Sequence, residues 1–263
     1  MSLRTFKKAI GVVAVAGALG LAWSGSAQAA DLKLAMSSPP TSMDPHFYNL
    51  FSNINVSEHI FDSLVKMDPD SRIIPGLAES WKLVNNLTWE FNIRKGVKFH
   101  DGSELTTDDI VWSLDRPATI QNSPGKFDVY TKAIVNKKVM DKYTIQLTTN
   151  QPYPLMLNDL TSIFIVQKKA TQGLGSDDFA QGKGMIGTGP FKFVSYARDD
   201  RVELVRNDSY WGAKPAWDKA TLRFIPNPAT RLAALLSGDV QAIENVPTPD
   251  LPKVRQGPRL SFF

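Results

Sequence analysis

Apolar and polar positions change period several times along this 263-residue chain, and the period is the first guide to its elements. "DLKLAMS", from Asp31, sets Leu32, Leu34 and Met36 on one side, which predicts a half-buried strand; "SPPTSMDP" follows as a loop. Ser57 to Met67 carries Ile60, Phe61, Leu64 and Val65 at helical spacing, and the turn "DPDSRIIPG" ends that predicted helix. Between Trp81 and Phe99, Trp89, Phe91 and Ile93 alternate with Glu90, Asn92 and Arg94, a strand pattern preceded by a hairpin turn at Asn85-Asn86. Lys95-Gly96 breaks the run, and Val97 and Phe99 resume it.

In "HDGSELTTDDIVWSL", Asp101-Gly102 reads as a turn, and Thr106 with Asp109 three residues on forms a capping box for a helix that buries Ile110, Val111 and Leu114. "TIQLTT" (144–149) and "SIFIVQ" (162–167) read as strands, with "NQPYPLMLNDL" between them as a turn into a short helix. "FKFVSY", "RVELVRN" and "ATLRFIP" read as further strands. "PATRLAALLSGD" reads as a helix with Leu232, Leu235 and Leu236 on one face and Gly238 at its end. Strands mixed with helices predict an α/β fold without internal repeats.

The first residues change the charge picture. Arg4, Lys7 and Lys8, the apolar stretch Ala9 to Trp23 and the small residues Ala27-Gln28-Ala29 have the order of an export signal over residues 1–29, cleaved near Ala29. Its apolar core is shorter than the roughly 20 residues a bilayer crossing needs, which favours cleavage over a retained anchor. Without those three basic residues the formal net charge falls from +4 to +1. Such a balance gives no footprint for nucleic acid. The chain has no cysteine, so an exported product has neither disulfides nor a lipidated cysteine anchor and is expected to be free in the periplasm.

Candidate chemistry is sparse. "GKGMIGTGPF" contains G-x-G-x-x-G at Gly182, Gly184 and Gly187, the spacing of dinucleotide loops. Such a loop needs a strand before it and a helix directly after it, but polar "LGSDDFAQGK" precedes this one and Pro190 leads into a period-2 run. His46, His59 and His100 are scattered with no metal-site spacing, and no Gly-x-Ser-x-Gly elbow exists. His100-Asp101 reads as a structural turn rather than a base with its orienting carboxylate. No cofactor, metal or catalytic group is therefore expected, and the chain does not read as an enzyme. The loop "SPPTSMDPHFYNLFSN" is different, because Phe47, Tyr48 and Phe51 stand among Ser, Thr and Asn, the mixture that lines small-ligand pockets.

"LAESW" (77–81), "TWEFNIRKGVKFHDG" (88–102), "GTGPFKF" (187–193), "NDSYWG" (207–212) and "PATRLAALLSGDVQ" together resemble the solute-binding proteins of bacterial ABC importers, in the family (family 5) that takes up peptides, nickel complexes and related solutes. The resemblance implies a type II periplasmic-binding-protein-like lobe, with a mixed β-sheet and flanking helices, made of residues 30–56 and 187–263. It also implies an inserted α+β subdomain at 57–186. The implied partners are a di- or oligopeptide-like solute and inner-membrane ABC permease subunits, with the protein a monomer. The loop after the first strand would line the ligand cleft. Tyr48 leads the implied ligand-binding residues through the Pro45-His46-Phe47-Tyr48 segment, followed by Asn53, then Ser42 and Phe47, with Ser162 on the subdomain edge. Ile186 and Gln241 depart from the family's frequent Pro and Asp. Family members are about twice as long, and "LSFF" reads as a strand leading toward a second lobe that this sequence does not contain. An exported protein-binding or chaperone-like module is the competing reading.

Overall fold

The computed structural model describes residues 31–256 and 260–261. The expected export signal, and Phe262 and Phe263 of the expected final strand, lie outside the described residues; Leu260 and Ser261 are not in a strand.

Strand β1 (Asp31–Met36) leads through a 14-residue loop into helix α1 (Phe51–Ile60). A small hairpin, β2 (Val65–Met67) and β3 (Ile73–Pro75), precedes β4 (Ala78–Asn85) and β5 (Thr88–Ile93). Helix α2 (Thr107–Asp115) begins with the predicted capping box, in which Thr106 and Asp109 satisfy each other's ends. Then come β6 (Ile134–Asp141), β7 (Thr144–Thr149) and three short helices, α3 (Met156–Thr161), α4 (Lys168–Thr171) and α5 (Ser176–Ala180). Strands β8 (Phe191–Ala197), β9 (Arg201–Arg206) and β10 (Lys219–Phe224) follow. Helix α6 (Pro228–Leu236), strand β11 (Ala242–Ile243) and helix α7 (Leu251–Gln256) complete the order.

Two sheets organise these elements. The first is mixed, in the order β11-β1-β10-β9-β8, with β1 parallel to β10 and β11 and the β10-β9-β8 side antiparallel. The second, β4-β5-β7-β6, is wholly antiparallel. Each carries its own apolar cluster. Phe91, Ile93, Ile110, Leu114, Ile145 and Leu147 are among the buried residues of the four-stranded unit. Met36, Phe61, Val202, Leu204 and Leu222 belong to the cluster of the mixed sheet, joined by Phe164, Val166, Phe179 and Met185 from farther along the chain.

Two sequence expectations give way. The helix predicted over Ser57–Met67 instead spans Phe51–Ile60, so Phe51 to Asn53 leave the loop, and Val65–Met67 is a strand. Phe61 turns extended, at φ −120°, and the residues that follow are buried separately, Leu64 in the cluster of the four-stranded unit and Asp62 among hydrogen-bond donors. "SIFIVQ" is not a strand beyond a single bridge from Phe164 to Ser63. This run crosses between the clusters, and its backbone is satisfied individually: Ile165 N–H donates to the Asp62 carbonyl (2.8 Å) and Val166 N–H to Ser113 Oγ (2.9 Å). On α6, Leu232 is buried while Leu236 is 55 % exposed, and the buried neighbour of Leu232 is Arg231. Its guanidinium gathers the carbonyls of Ile225, Pro226, Glu244 and Asn245, tying together the exits of β10 and β11.

The glycine-rich stretch opens into β8, not into a helix. Gly187 and Gly189 press against the end of α1, with Gly189 N–H donating to the Ile60 carbonyl (2.9 Å). A Cβ on Gly187 would lie 1.9 Å from the Ile60 carbonyl oxygen, a distance no side chain can occupy. Gly187→Ala should therefore cost at least about 3 kcal/mol in urea unfolding, whereas Gly175→Ala, with nothing closer than 3.9 Å, should cost under about 1 kcal/mol. Equal effects would show that the contact at Ile60 is not close.

Candidate functional site

In sheets with parallel strands, ligands bind outside the carboxyl ends of those strands. Here β1, β10 and β11 end at one edge, and the loop from Ser37 to Leu50 and the first turns of α1 lie against it. Glu244, just after β11, accepts from Ser37 N–H (2.9 Å), Ser37 Oγ (3.0 Å) and Asn55 Nδ2 (3.1 Å). Ser52 Oγ and Asn55 Oδ1 are buried on the same helix face without a partner among the described residues.

The loop is pinned from beneath by charge. Asp44 is buried and meets both guanidinium nitrogens of Arg116, at 2.7 and 2.8 Å, and also accepts from Ser176 Oγ (2.7 Å) and from His46 N–H (2.9 Å). Burial pushes the Asp44 carboxyl up, but the fork from Arg116 and the other donors outweigh it and hold the group below its ordinary value. Burial, with Arg116 adding to it, drives His46 down to about 4, so the ring is neutral at pH 7. The contacts then fix its tautomer: Nε2–H donates to the Phe164 carbonyl (2.8 Å), and Nδ1 faces Arg116 at 3.3 Å. Arg116 also stacks over Phe179, 4.8 Å from the ring centre.

The five residues proposed from sequence do not share one surrounding. Ser42 Oγ accepts from Asp44 N–H (3.1 Å) and shapes the turn. Asn53 is buried and occupied at both ends, its Oδ1 taking Thr41 N–H (2.9 Å) and its Nδ2 reaching the Tyr48 carbonyl (3.3 Å), so it fastens the loop to α1. The half-buried Tyr48 ring packs against Gly125, where a Cβ would stand 2.9 Å from Cε2. Phe47 faces a different hollow, of about 780 Å3, with Trp112 and Arg116. Ser162 lines a cleft of about 450 Å3 that runs along α1, together with Asn49, Ile54, Glu58 and Lys66.

At the base of that cleft stands Asp62, which sequence reasoning missed. Its buried carboxylate accepts from Thr188 Oγ1 (2.9 Å), Trp211 Nε1 (2.9 Å) and Tyr210 OH (3.2 Å), and pairs with Lys66 at 2.6 Å. Burial pushes the Lys66 ammonium down, but Asp62 more than offsets this and the net shift is upward. The partners of Asp62 come from the "GTGPF" and "NDSYWG" stretches, so two of the most distinctive sequence motifs serve here to tie elements together. His100 completes the junction: Gly187 N–H donates to its Nδ1 (3.2 Å), its Nε2 meets the Gly189 carbonyl (3.1 Å), and burial lowers its pKa to about 4. Asp101 turns away to Ser103 and Gln167, which supports the reading of His100-Asp101 as a structural turn.

A mixed sheet with its loops gathered at one edge, carrying an antiparallel unit inserted after its first strand and helix, defines one lobe of a periplasmic-binding-protein-like fold. The family described as bacterial extracellular solute-binding proteins, family 5 Middle, matches residues 72–262, and the chain belongs to that family. It is 28 % identical to the dipeptide-binding protein of Escherichia coli K12 over 91 % of this chain and 49 % of that protein. It is 30 % identical to di/tripeptide-binding protein 4 of Pseudomonas aeruginosa over 93 % of this chain and 50 % of that protein. It also resembles the solved structure of DppA from Helicobacter pylori in complex with the peptide STSA, with a TM-score of 0.74 at 27 % identity, over 87 % of this chain and 49 % of that one. The chain thus spans about half the length of the curated relatives it matches.

Two outcomes follow from the buried charges. Arg116→Met strands the Asp44 carboxylate and should lower stability by about 3–5 kcal/mol in urea unfolding; a loss under about 1 kcal/mol would mean that the pair is not buried. His46 and His100 both titrate at about 4 when folded, below the ordinary value of 6.5, so the unfolded chain binds more protons and stability is lost as pH falls below about 6.5. Each histidine should cost about 2 kcal/mol by pH 5. Unfolding midpoints measured from pH 7 to pH 5 should fall in the wild type and fall less in His100→Gln.

Proposed function

We propose that this chain is a solute-capturing part of an ABC importer's periplasmic binding protein, taking a di- or oligopeptide-like solute and delivering it to the inner-membrane permease subunits. The observation that carries the reading is membership of the solute-binding family along with likeness to a lobe whose solved relative holds a peptide. The reading includes an export signal cleaved near Ala29, no lipid anchor, a monomeric state and no catalysis. Among the described residues, no helix is long and apolar enough to cross a membrane. It also includes the division into a lobe of residues 30–56 and 187–263 and a subdomain of 57–186, and ligand contacts from Tyr48, Phe47, Ser42 and Ser162, with Asn53 keeping the loop in place.

One wall of a two-walled cleft binds weakly. If closure between two lobes gives micromolar affinity, at about 8 kcal/mol, one lobe supplying half of it gives affinity near millimolar. Trialanine at about 10 mM should therefore shift the amide resonances of residues 42–53 and of Ser162 in the isotope-labelled chain, and Tyr48→Ala should reduce the effect at least threefold. A chain inert to di- and tripeptides that instead elutes in a defined complex with another protein would overturn the proposal.

A further inference from the structure

Glu58 occupies a position that physical chemistry disfavours. It lies in the last turn of α1, where the partial charge of the helix end is negative and a carboxylate is repelled. No hydrogen bond reaches it among the described residues, and the one cation sharing its cleft, Lys66, is held by Asp62 at 2.6 Å. Glu58 is open to solvent, yet the protein packed around it pushes its carboxyl up, and Lys66 offsets only part of this. The opposite wall is neutral, with Thr161 and Ser162, while Ile54, Met67 and Phe164 give the cleft an apolar lining. With Asp62 and Lys66 cancelling, Glu58 leaves the cleft one net negative charge.

An unpaired carboxylate above an apolar lining suits a cation on a short aliphatic stem. We infer that Glu58 is a specificity-determining residue that takes the side-chain ammonium of a basic solute, such as a lysine-containing peptide, in the cleft along α1. This rests on the solute-binding reading and narrows its substrate class.

The test compares Ala-Lys-Ala with Ala-norleucine-Ala, which differ in the terminal ammonium alone, by amide chemical shifts of the labelled chain. Glu58→Gln should fold normally, with stability unchanged or raised, because the carboxylate it removes has no partner. The expected result is that Ala-Lys-Ala shifts the resonances of α1 and Ser162 with an affinity about threefold higher than Ala-norleucine-Ala, as for a part-exposed ion pair, and that Glu58→Gln abolishes the preference. Equal affinities, or a preference that survives Glu58→Gln, would overturn the inference while leaving solute binding in place. Shifts confined to residues 42–48 would do the same. No shift anywhere with either peptide would overturn the inference and the solute-binding reading together.

Discussion

The Asp62 carboxylate is the constraint on which the rest of the molecule depends. It sits where α1 ends, between the apolar cluster of the mixed sheet and that of the four-stranded unit, and its donors come from three separate stretches of chain. A buried charge is costly unless every lone pair finds a donor. Four donors meet that demand here only if "GTGPF", "NDSYWG" and the start of β2 converge. The requirement is geometric as much as energetic, and it is why Gly187 and Gly189 must lie against Ile60: any side chain there would hold Thr188 away from the carboxylate.

Asp44 plays the parallel part at the other end of α1. Its bidentate contact with Arg116, and the neutral His46 wedged beside it, give the loop from Ser37 to Leu50 a fixed floor although the loop has no regular structure. Two buried carboxylates thus bracket one helix. The surface that α1 presents between them has a defined position, as a cleft wall must if it is to recognise a solute without first being ordered.

Much of this fold was legible because period-2 strands bounded by turn residues announce themselves: β1, β5, β7, β8, β9 and β10 follow their alternation, and the capping box of α2 is visible as Thr106 and Asp109. The misplaced helix and the false strand fail for one reason. Ile60, Phe61, Leu64 and Val65, like Ile163 to Val166, are divided between two cores, so their apolar spacing imitates a helix in the first segment and a strand in the second where neither element forms. Of the candidate site, the aromatic loop was legible from composition and resemblance. The hubs were not, because, beside the near neighbours Lys66 and His46, the side chains that complete Asp44 and Asp62 come from 72 to 149 residues away, a separation that spacing arguments do not span. Glu58 was passed over because a lone glutamate on a predicted helix is indistinguishable from ordinary solvated surface until its neighbours are known.

The strand order also sets a timetable. Strand β1 leaves the ribosome early, but its two neighbours in the sheet, β10 and β11, are made roughly 10 to 40 s later at ordinary synthesis rates. The antiparallel unit from β4 to β7 needs nothing made after it to complete its pairings and can form while the first strand waits. The mixed sheet, closed by contacts between the two ends of the described chain, therefore completes its pairings last.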